Sequence, residues 1–157
     1  MMKFLTLLPI ILLASLASAQ TTIVKFDHLE KLLADRTRDK IQIVNFWATW
    51  CAPCVKELPI FEQYQQANAG NAHVILISLD YADKVDKVNA FVKKKNLKCE
   101  VLLLDETDGN SWIDKVEPSW GGAIPATIII NPKTGRRKFV EKELKEGDLE
   151  LLVNELL

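Results

Sequence analysis

The sequence predicts an α/β fold in which a central mixed β-sheet is flanked by helices on both faces. Apolar runs of strand length alternate with amphipathic helical segments, and the last apolar run is followed by a turn and a returning strand. The chain has 157 residues, 48% hydrophobic and 26% charged, which suits one domain and is too short for two. A formal net charge of -1 leaves no basic excess to hold a phosphate backbone, so no nucleic acid partner is expected.

The first 19 residues have the pattern of a secretory signal peptide. Lys3 precedes an apolar run at residues 4–14, and residues 17–19 form the small-x-small pattern that signal peptidase accepts. An uncleaved membrane anchor is the alternative, but the run is shorter than the roughly 20 residues that a spanning helix needs. We therefore predict that residues 1–19 are removed after Ala19 and that residues 20–157 form an exported domain, periplasmic or otherwise extracytoplasmic.

The first half of the mature chain is predicted to contain three strands alternating with two helices, beginning with a short strand near Thr22. Leu29, Leu32 and Leu33 recur at helical spacing after a possible N-cap at Asp27, which predicts a helix to about residue 36. The following elements are a β-branched and aromatic strand at residues 41–47, a helix from Cys51 to about residue 68, and an apolar strand at residues 74–78.

The second half begins with an amphipathic helix whose polar face is rich in lysine. Its apolar face is formed by Val85, Val88, Phe91 and Val92. The lysines are predicted to form a solvated face rather than an anion site, because acidic residues that balance their charge lie nearby, namely Asp80, Asp83 and Asp86. The remaining predicted elements are a strand at 101–104, a short helix at 110–116, a strand at 128–130, a turn at 131–135, a returning strand at 139–140 and a terminal helix from about 147.

Two of the three cysteines form a C-x-x-C pair where a buried strand ends and a helix begins. The unpaired backbone N–H groups of the first helical turn and the positive end of the helix dipole stabilise negative charge on Cys51. Cys51 is therefore predicted to be the nucleophile that attacks a disulfide, and Cys54, one turn further on, to resolve the mixed disulfide. Pro53 suits an early helical position, where its missing N–H has no partner to lose.

Two other interpretations of the cysteine pair are weaker. A structural zinc site would need two further ligands, and only Cys99, His28 and His73 are available, without a ligand spacing. A purely structural disulfide would close too small a loop to constrain the unfolded chain much. We therefore predict no metal and no cofactor other than the redox-active disulfide between Cys51 and Cys54. Cys99 is expected to be a free buried thiol rather than a second redox group, since no nearby cysteine could resolve it.

The cysteine pair lies in a segment that resembles a known family. Residues 46–54, Phe-Trp-Ala-Thr-Trp-Cys-Ala-Pro-Cys, resemble the active-site strand and loop of the thioredoxin superfamily. Asn45, Glu57 and Pro59 resemble the asparagine, acidic residue and proline that the exported TlpA/ResA-like branch of this superfamily has at these positions. Residues 122–127 resemble its proline loop. The resemblance implies a thioredoxin-like fold and a thiol-disulfide oxidoreductase.

The resemblance also implies roles for residues around the cysteines. The Ile124–Pro125 peptide bond is expected to be cis and to lie against the dithiol, with the Ile124 backbone turned outward to pair with a substrate strand. A trans proline starting a strand is the alternative. Trp50, Ala52 and Pro53 complete the expected substrate-binding surface.

Two further residues each have two competing interpretations. Glu57 is implied to move the proton on and off the resolving thiol, and the alternative is an ordinary glutamate on the helix surface. Trp120 precedes the proline loop and is expected either to contact substrate or to pack locally.

The leading functional hypothesis is an exported reductase of protein disulfides. The spacer Ala52-Pro53 carries no cation that would overstabilise the thiolate and make the dithiol strongly oxidising. A disulfide oxidase or isomerase, and a redox-inert peptide-binding module, are the alternatives. The expected partners are protein disulfide or dithiol substrates and a membrane-bound or exported thiol electron donor, and the chain is expected to be a monomer.

Overall fold

The computed structural model describes residues 20–157, so the predicted signal peptide and its cleavage site lie outside the described residues. The strands are β1 (Thr22–Val24), β2 (Ile41–Trp47), β3 (Ala72–Ser78), β4 (Glu100–Leu104), β5 (Ala126–Ile130) and β6 (Arg137–Val140). The α-helices are α1 (Phe26–Ala34), α2 (Ala52–Asn68), α3 (Val85–Lys95), α4 (Ile113–Val116) and α5 (Asp148–Asn154).

The six strands form a single mixed sheet in the order β1-β4-β3-β2-β5-β6. The pairs β1–β4, β4–β3 and β3–β2 are parallel, whereas β5 runs antiparallel to both β2 and β6. Strand β2 lies between β3 and β5, and all seven of its residues are buried. Because β2, β3 and β4 are parallel, the loops that follow them meet at one edge of the sheet, together with the loop that enters β5.

Alternate residues of each strand pack against helices on opposite faces of the sheet. Helices α2, α3 and α5 cover one face and α1 and α4 cover the other. In β2, for example, Ile43 and Trp47 join the first of these clusters, and Val44 and Phe46 join the second. This alternation is the two-residue period of a strand buried on both sides, and it confirms the predicted fold class.

The boundaries of several elements differ from the prediction in small ways. Helix α1 begins at Phe26, so Asp27 lies within its first turn and the N-cap residue is Lys25, which makes no side-chain cap bond. The predicted helix at 110–116 is split into a 3₁₀ turn (Gly109–Ser111) and α4, because Trp112 between them leaves the helical conformation. None of the helices in residues 20–157 has the length and apolar character needed to span a bilayer.

Candidate active site

The two cysteines of the C-x-x-C pair lie at the edge of the sheet where β2 ends and α2 begins. Cys51 is the N-cap residue of α2, and Pro53 occupies its first turn as the sequence predicts. Ala52 and Pro53 are exposed, so the face of the helix start that carries Cys51 is open to a partner.

Cys51 and Cys54 form a disulfide, with an Sγ–Sγ distance of 2.01 Å. The backbone N–H of Cys54 donates to Cys51 Sγ at 3.3 Å, which is the helix-start contact that favours negative charge on Cys51 once the disulfide is reduced. Cys51 retains 6% of its surface exposed, whereas Cys54 is fully buried. Cys51 is therefore the more accessible residue of the pair, and the one that a second molecule can reach.

The loop before β5 lies against the disulfide. The Ile124–Pro125 peptide bond is cis, as the resemblance implies. The Ile124 carbonyl oxygen lies 3.8 Å from Cys51 Sγ, and the Ile124 side chain is half-buried while Pro125 is buried. The structure thus brings Cys51 and Pro125, which are 74 positions apart in sequence, into one site, as the resemblance of the C-x-x-C segment and the proline loop implies.

The two tryptophans assigned to substrate binding have different environments. Trp50 is 65% exposed and flanks Cys51 at the surface, where it is available to a polypeptide partner. Trp120 is only 3% exposed, and its ring packs on Phe46 with a centroid distance of 4.7 Å. Its Nε1 donates to the Ala123 carbonyl at 2.8 Å. Of the two interpretations of Trp120, its burial and contacts favour local packing, with support of the proline loop.

A buried aspartate that the sequence analysis missed fixes the segment before Cys51. Asp80 accepts hydrogen bonds from the backbone N–H of Thr49 at 2.9 Å and from the Thr49 hydroxyl at 2.6 Å. The Ser78 hydroxyl donates to the same carboxylate. The assignment of Asp80 to the charge balance of the lysine face is therefore wrong, although the lysines themselves, Lys93 to Lys95, are exposed as predicted.

Glu57 lies on α2 one turn beyond Cys54 and is buried, with 1% of its surface exposed. Asn45 Nδ2 donates to its Oε1 at 2.8 Å, and the backbone N–H of Leu144 donates to its Oε2 at 2.7 Å. Burial raises the pKa of the Glu57 carboxyl to about 7, although these two donors favour the carboxylate and limit the rise. The alternative of an ordinary surface glutamate is excluded, and the group can exchange a proton near neutral pH.

Cys99, immediately before β4, is free and buried, as predicted. Burial raises the pKa of the Cys99 thiol, so it remains protonated at neutral pH. Within residues 20–157 no group of three His, Cys, Asp or Glu side chains is arranged to hold a metal ion.

The fold and the site together define a thioredoxin-like protein with a C-x-x-C disulfide at the start of a helix and a cis-proline loop facing it. Residues 18–135 match the AhpC/TSA family, and the chain belongs to that family.

Curated relatives carry related names. The chain is 35% identical over 75 residues to the thioredoxin-like protein YneN of Bacillus subtilis (strain 168), an alignment covering 47% of this chain and 44% of that protein. It is 32% identical over 114 residues to the thiol-disulfide oxidoreductase ResA of Bacillus cereus (strain ZK / E33L), covering 69% of this chain and 57% of that protein. The chain therefore spans about half the length of the curated relatives it matches.

A solved structure supports the same placement. The thioredoxin-related protein from Neisseria meningitidis serogroup B superposes with a TM-score of 0.64 at 28% sequence identity, covering 75% of this chain and 85% of that chain. The predicted fold class is thereby confirmed by comparison with an experimental structure as well as by the topology of the sheet.

Proposed function

We propose that the chain is an exported thiol-disulfide oxidoreductase that reduces protein disulfides through Cys51 and Cys54. The proposal rests mainly on the Cys51–Cys54 disulfide at the start of α2, in which Cys51, the more accessible of the two residues, faces the Ile124 carbonyl. Similarity to proteins named thiol-disulfide oxidoreductase ResA supports the same reaction class.

The reaction proceeds by two successive thiol-disulfide exchanges in the reduced protein. The Cys51 thiolate attacks one sulfur of the substrate disulfide; that S–S bond breaks, a mixed disulfide forms, and the other substrate sulfur leaves as a thiolate that takes up a proton. The Cys54 thiolate then attacks Cys51 Sγ, which re-forms the Cys51–Cys54 disulfide and releases the second substrate thiol. The substrate gains two electrons and two protons, and the protein loses them.

Glu57 serves as the proton acceptor for the resolving step. The Cys54 thiol must lose its proton before it attacks, and it is fully buried away from water. Glu57 lies one helical turn from Cys54 with a pKa near 7, so a large fraction of molecules carry the carboxylate at neutral pH. The neighbouring Asn45 cannot titrate, which leaves Glu57 as the acid-base group at this position.

The substrate is a polypeptide disulfide that pairs with the proline loop. Exposed Trp50, Ala52 and Pro53 border Cys51 on one side, and the Ile124 backbone borders it on the other. A polypeptide carries backbone N–H and C=O groups that can pair with this loop beside the cysteine under attack. An exported or membrane-bound thiol donor then returns the Cys51–Cys54 disulfide to the dithiol.

The proposed direction and compartment rest on the sequence. The spacer Ala52-Pro53 lacks a cation that would stabilise the thiolate further, which favours a reductant over a strong oxidant. The signal-peptide pattern of residues 1–19 favours export, and outside the cytoplasm such a dithiol needs a dedicated electron donor.

Insulin reduction tests the proposal directly. With dithiothreitol as electron donor, the protein is expected to accelerate insulin precipitation, Cys51→Ser to abolish the acceleration, and the control Cys99→Ala to retain it. If wild type and Cys51→Ser are equally inactive while both bind peptide, the chain is a redox-inert binding module and the oxidoreductase proposal is wrong.

A further inference from the structure

The segment that follows β6 contacts both halves of the site. At its start, the carboxylate of Glu141 accepts hydrogen bonds from the backbone N–H of Ala123 at 2.9 Å and of Gly121 at 3.2 Å. At its end, the buried backbone of Leu144 donates to Glu57. Four consecutive residues, 141–144, therefore join the proline loop to the buried carboxyl group beside the resolving cysteine.

Glu141 makes two hydrogen bonds to the proline loop, and the contact is close. One carboxylate spans two N–H groups that lie two residues apart, and a Cβ placed on Gly121 would lie 3.3 Å from Glu141 Oε1. Gly122, between the two donors, has a φ of 87°, a left-handed conformation that favours glycine. The loop thus takes a shape in which both N–H groups point to the same carboxylate.

Ala123 is held from both sides. Its N–H is bound by Glu141 and its carbonyl accepts the hydrogen bond from Trp120, whose ring is fixed in the core. The next residue is Ile124, whose carbonyl oxygen faces Cys51 Sγ. Fixing the two peptide groups of Ala123 therefore fixes the direction in which the Ile124 backbone is presented.

The far end of the segment is anchored on α2. Leu144 is buried, and Glu143 forms ion pairs with Lys56 at 3.1 Å and with Lys145 at 2.6 Å. Lys56 and Glu57 are neighbours on α2, so the ion pair of Glu143 and the hydrogen bond from Leu144 both attach the end of the segment to the helix that carries the resolving cysteine. Glu141 is thus an exposed carboxylate on a segment whose other end is buried and hydrogen-bonded to Glu57.

We propose that Glu141 is a positioning residue, which holds residues 121–123 so that the Ile124 backbone is presented to a polypeptide beside Cys51. The inference rests on the proposed function. It adds Glu141, which lies outside the C-x-x-C segment and the proline loop, to the residues that serve this function. Glu141 does not touch the sulfurs, so its effect is confined to substrates that pair with the loop. A small disulfide reaches Cys51 without using the Ile124 backbone and is indifferent to Glu141.

Pre-reduced protein, mixed with a disulfide in a single turnover and followed by tryptophan fluorescence, tests this proposal. The variants are Glu141→Ala, which removes both acceptors, and Glu141→Gln, which keeps one oxygen. The control is Glu146→Ala, an exposed glutamate of the same loop that makes no described side-chain bond. The two substrates are insulin and 5,5′-dithiobis(2-nitrobenzoate), an aromatic small disulfide.

Glu141→Ala is expected to slow the reaction with insulin about tenfold, less than the roughly hundredfold loss that a 1 Å misplacement of a reacting group can produce, and to leave the small-disulfide rate unchanged. Glu141→Gln should fall between Glu141→Ala and wild type, and Glu146→Ala should match wild type. Unchanged insulin rates in Glu141→Ala, or equal losses with both substrates, would overturn the proposal. A wild-type protein inactive with both substrates would instead refute the oxidoreductase function itself.

Discussion

Glu57→Gln should change the way in which the stability of the oxidised protein depends on pH. In the folded protein, burial holds the pKa of Glu57 at about 7, against an ordinary value of 4.5 that the unfolded chain retains. Between these two pH values the folded state binds a proton that the unfolded state does not. The stabilisation is therefore complete below pH 4.5 and is lost as pH rises through 7.

The size of the effect follows from the two pKa values. Their difference, at about 1.36 kcal/mol per pH unit, corresponds to about 3 kcal/mol of unfolding free energy lost between pH 4.5 and pH 8. Glutamine does not titrate, so the variant lacks this loss. The amide N–H₂ of the glutamine also faces one of the two donors, Asn45 Nδ2 or Leu144 N–H, and leaves it without an acceptor. This lowers the unfolding free energy by about 1–3 kcal/mol at every pH.

Urea unfolding of the oxidised protein across pH 4.5–8.5 measures both contributions. The unfolding free energy of wild type minus that of Glu57→Gln should shrink by about 3 kcal/mol as the pH rises across this range. The matched control is Glu30→Gln, the same substitution at an exposed glutamate, measured over the same pH range. If the difference in unfolding free energy between wild type and Glu57→Gln does not vary with pH, Glu57 does not titrate near neutrality. The proposed proton-transfer role would then be wrong.

Two further predictions concern the dithiol and its support. In the reduced protein, limiting iodoacetamide should label Cys51 before Cys54 and Cys99, because only Cys51 is both partly accessible and at the helix start; equal labelling by mass mapping would refute this. Asp80→Ala should lower the unfolding free energy by about 1–3 kcal/mol by leaving its hydrogen-bond donors unpaired, whereas exposed Asp83→Ala should have little effect; equal melting temperatures would contradict the assignment.

The strand, helix and cysteine pair at the centre of the site could be predicted because their signals are local. A run of β-branched and aromatic residues ending at Trp47 indicates a buried strand, and Pro53 indicates an early helical position. Together they place Cys51 at a helix start, where the structure has it. The relation of this pair to Pro125 is not local, and it was predictable only through the family motif.

The role of Asp80 could be inferred from its position after β3, although its acidic neighbours in sequence suggest a surface charge. Asp80 lies two residues after the end of β3, and the parallel neighbours β2 and β3 end at the same edge of the sheet, which places Asp80 near the loop after Trp47. Its proximity in sequence to Asp83 and Asp86 instead suggests a surface charge, which is wrong for Asp80. Counting charges along the sequence gives no information on which carboxylates are buried and hydrogen-bonded.

Trp120 and Glu141 depend on the path of the chain in space. An aromatic residue before the proline loop suits either a surface contact or packing, and only the position of Phe46 beneath it decides between them. The contacts of residues 141–144 join parts of the sequence up to 87 residues apart through backbone N–H groups. Backbone donors leave no trace in residue identity, so no sequence pattern could indicate them.

Trapping the covalent intermediate tests the central claim most directly. Cys54→Ser cannot resolve a mixed disulfide, so incubation of the reduced variant with insulin should yield a covalent adduct through Cys51, identified by non-reducing mass spectrometry and released by dithiothreitol. Wild type should show no such accumulation. Absence of any adduct, or an adduct through Cys99, would contradict the assignment of Cys51 as nucleophile and Cys54 as resolving thiol.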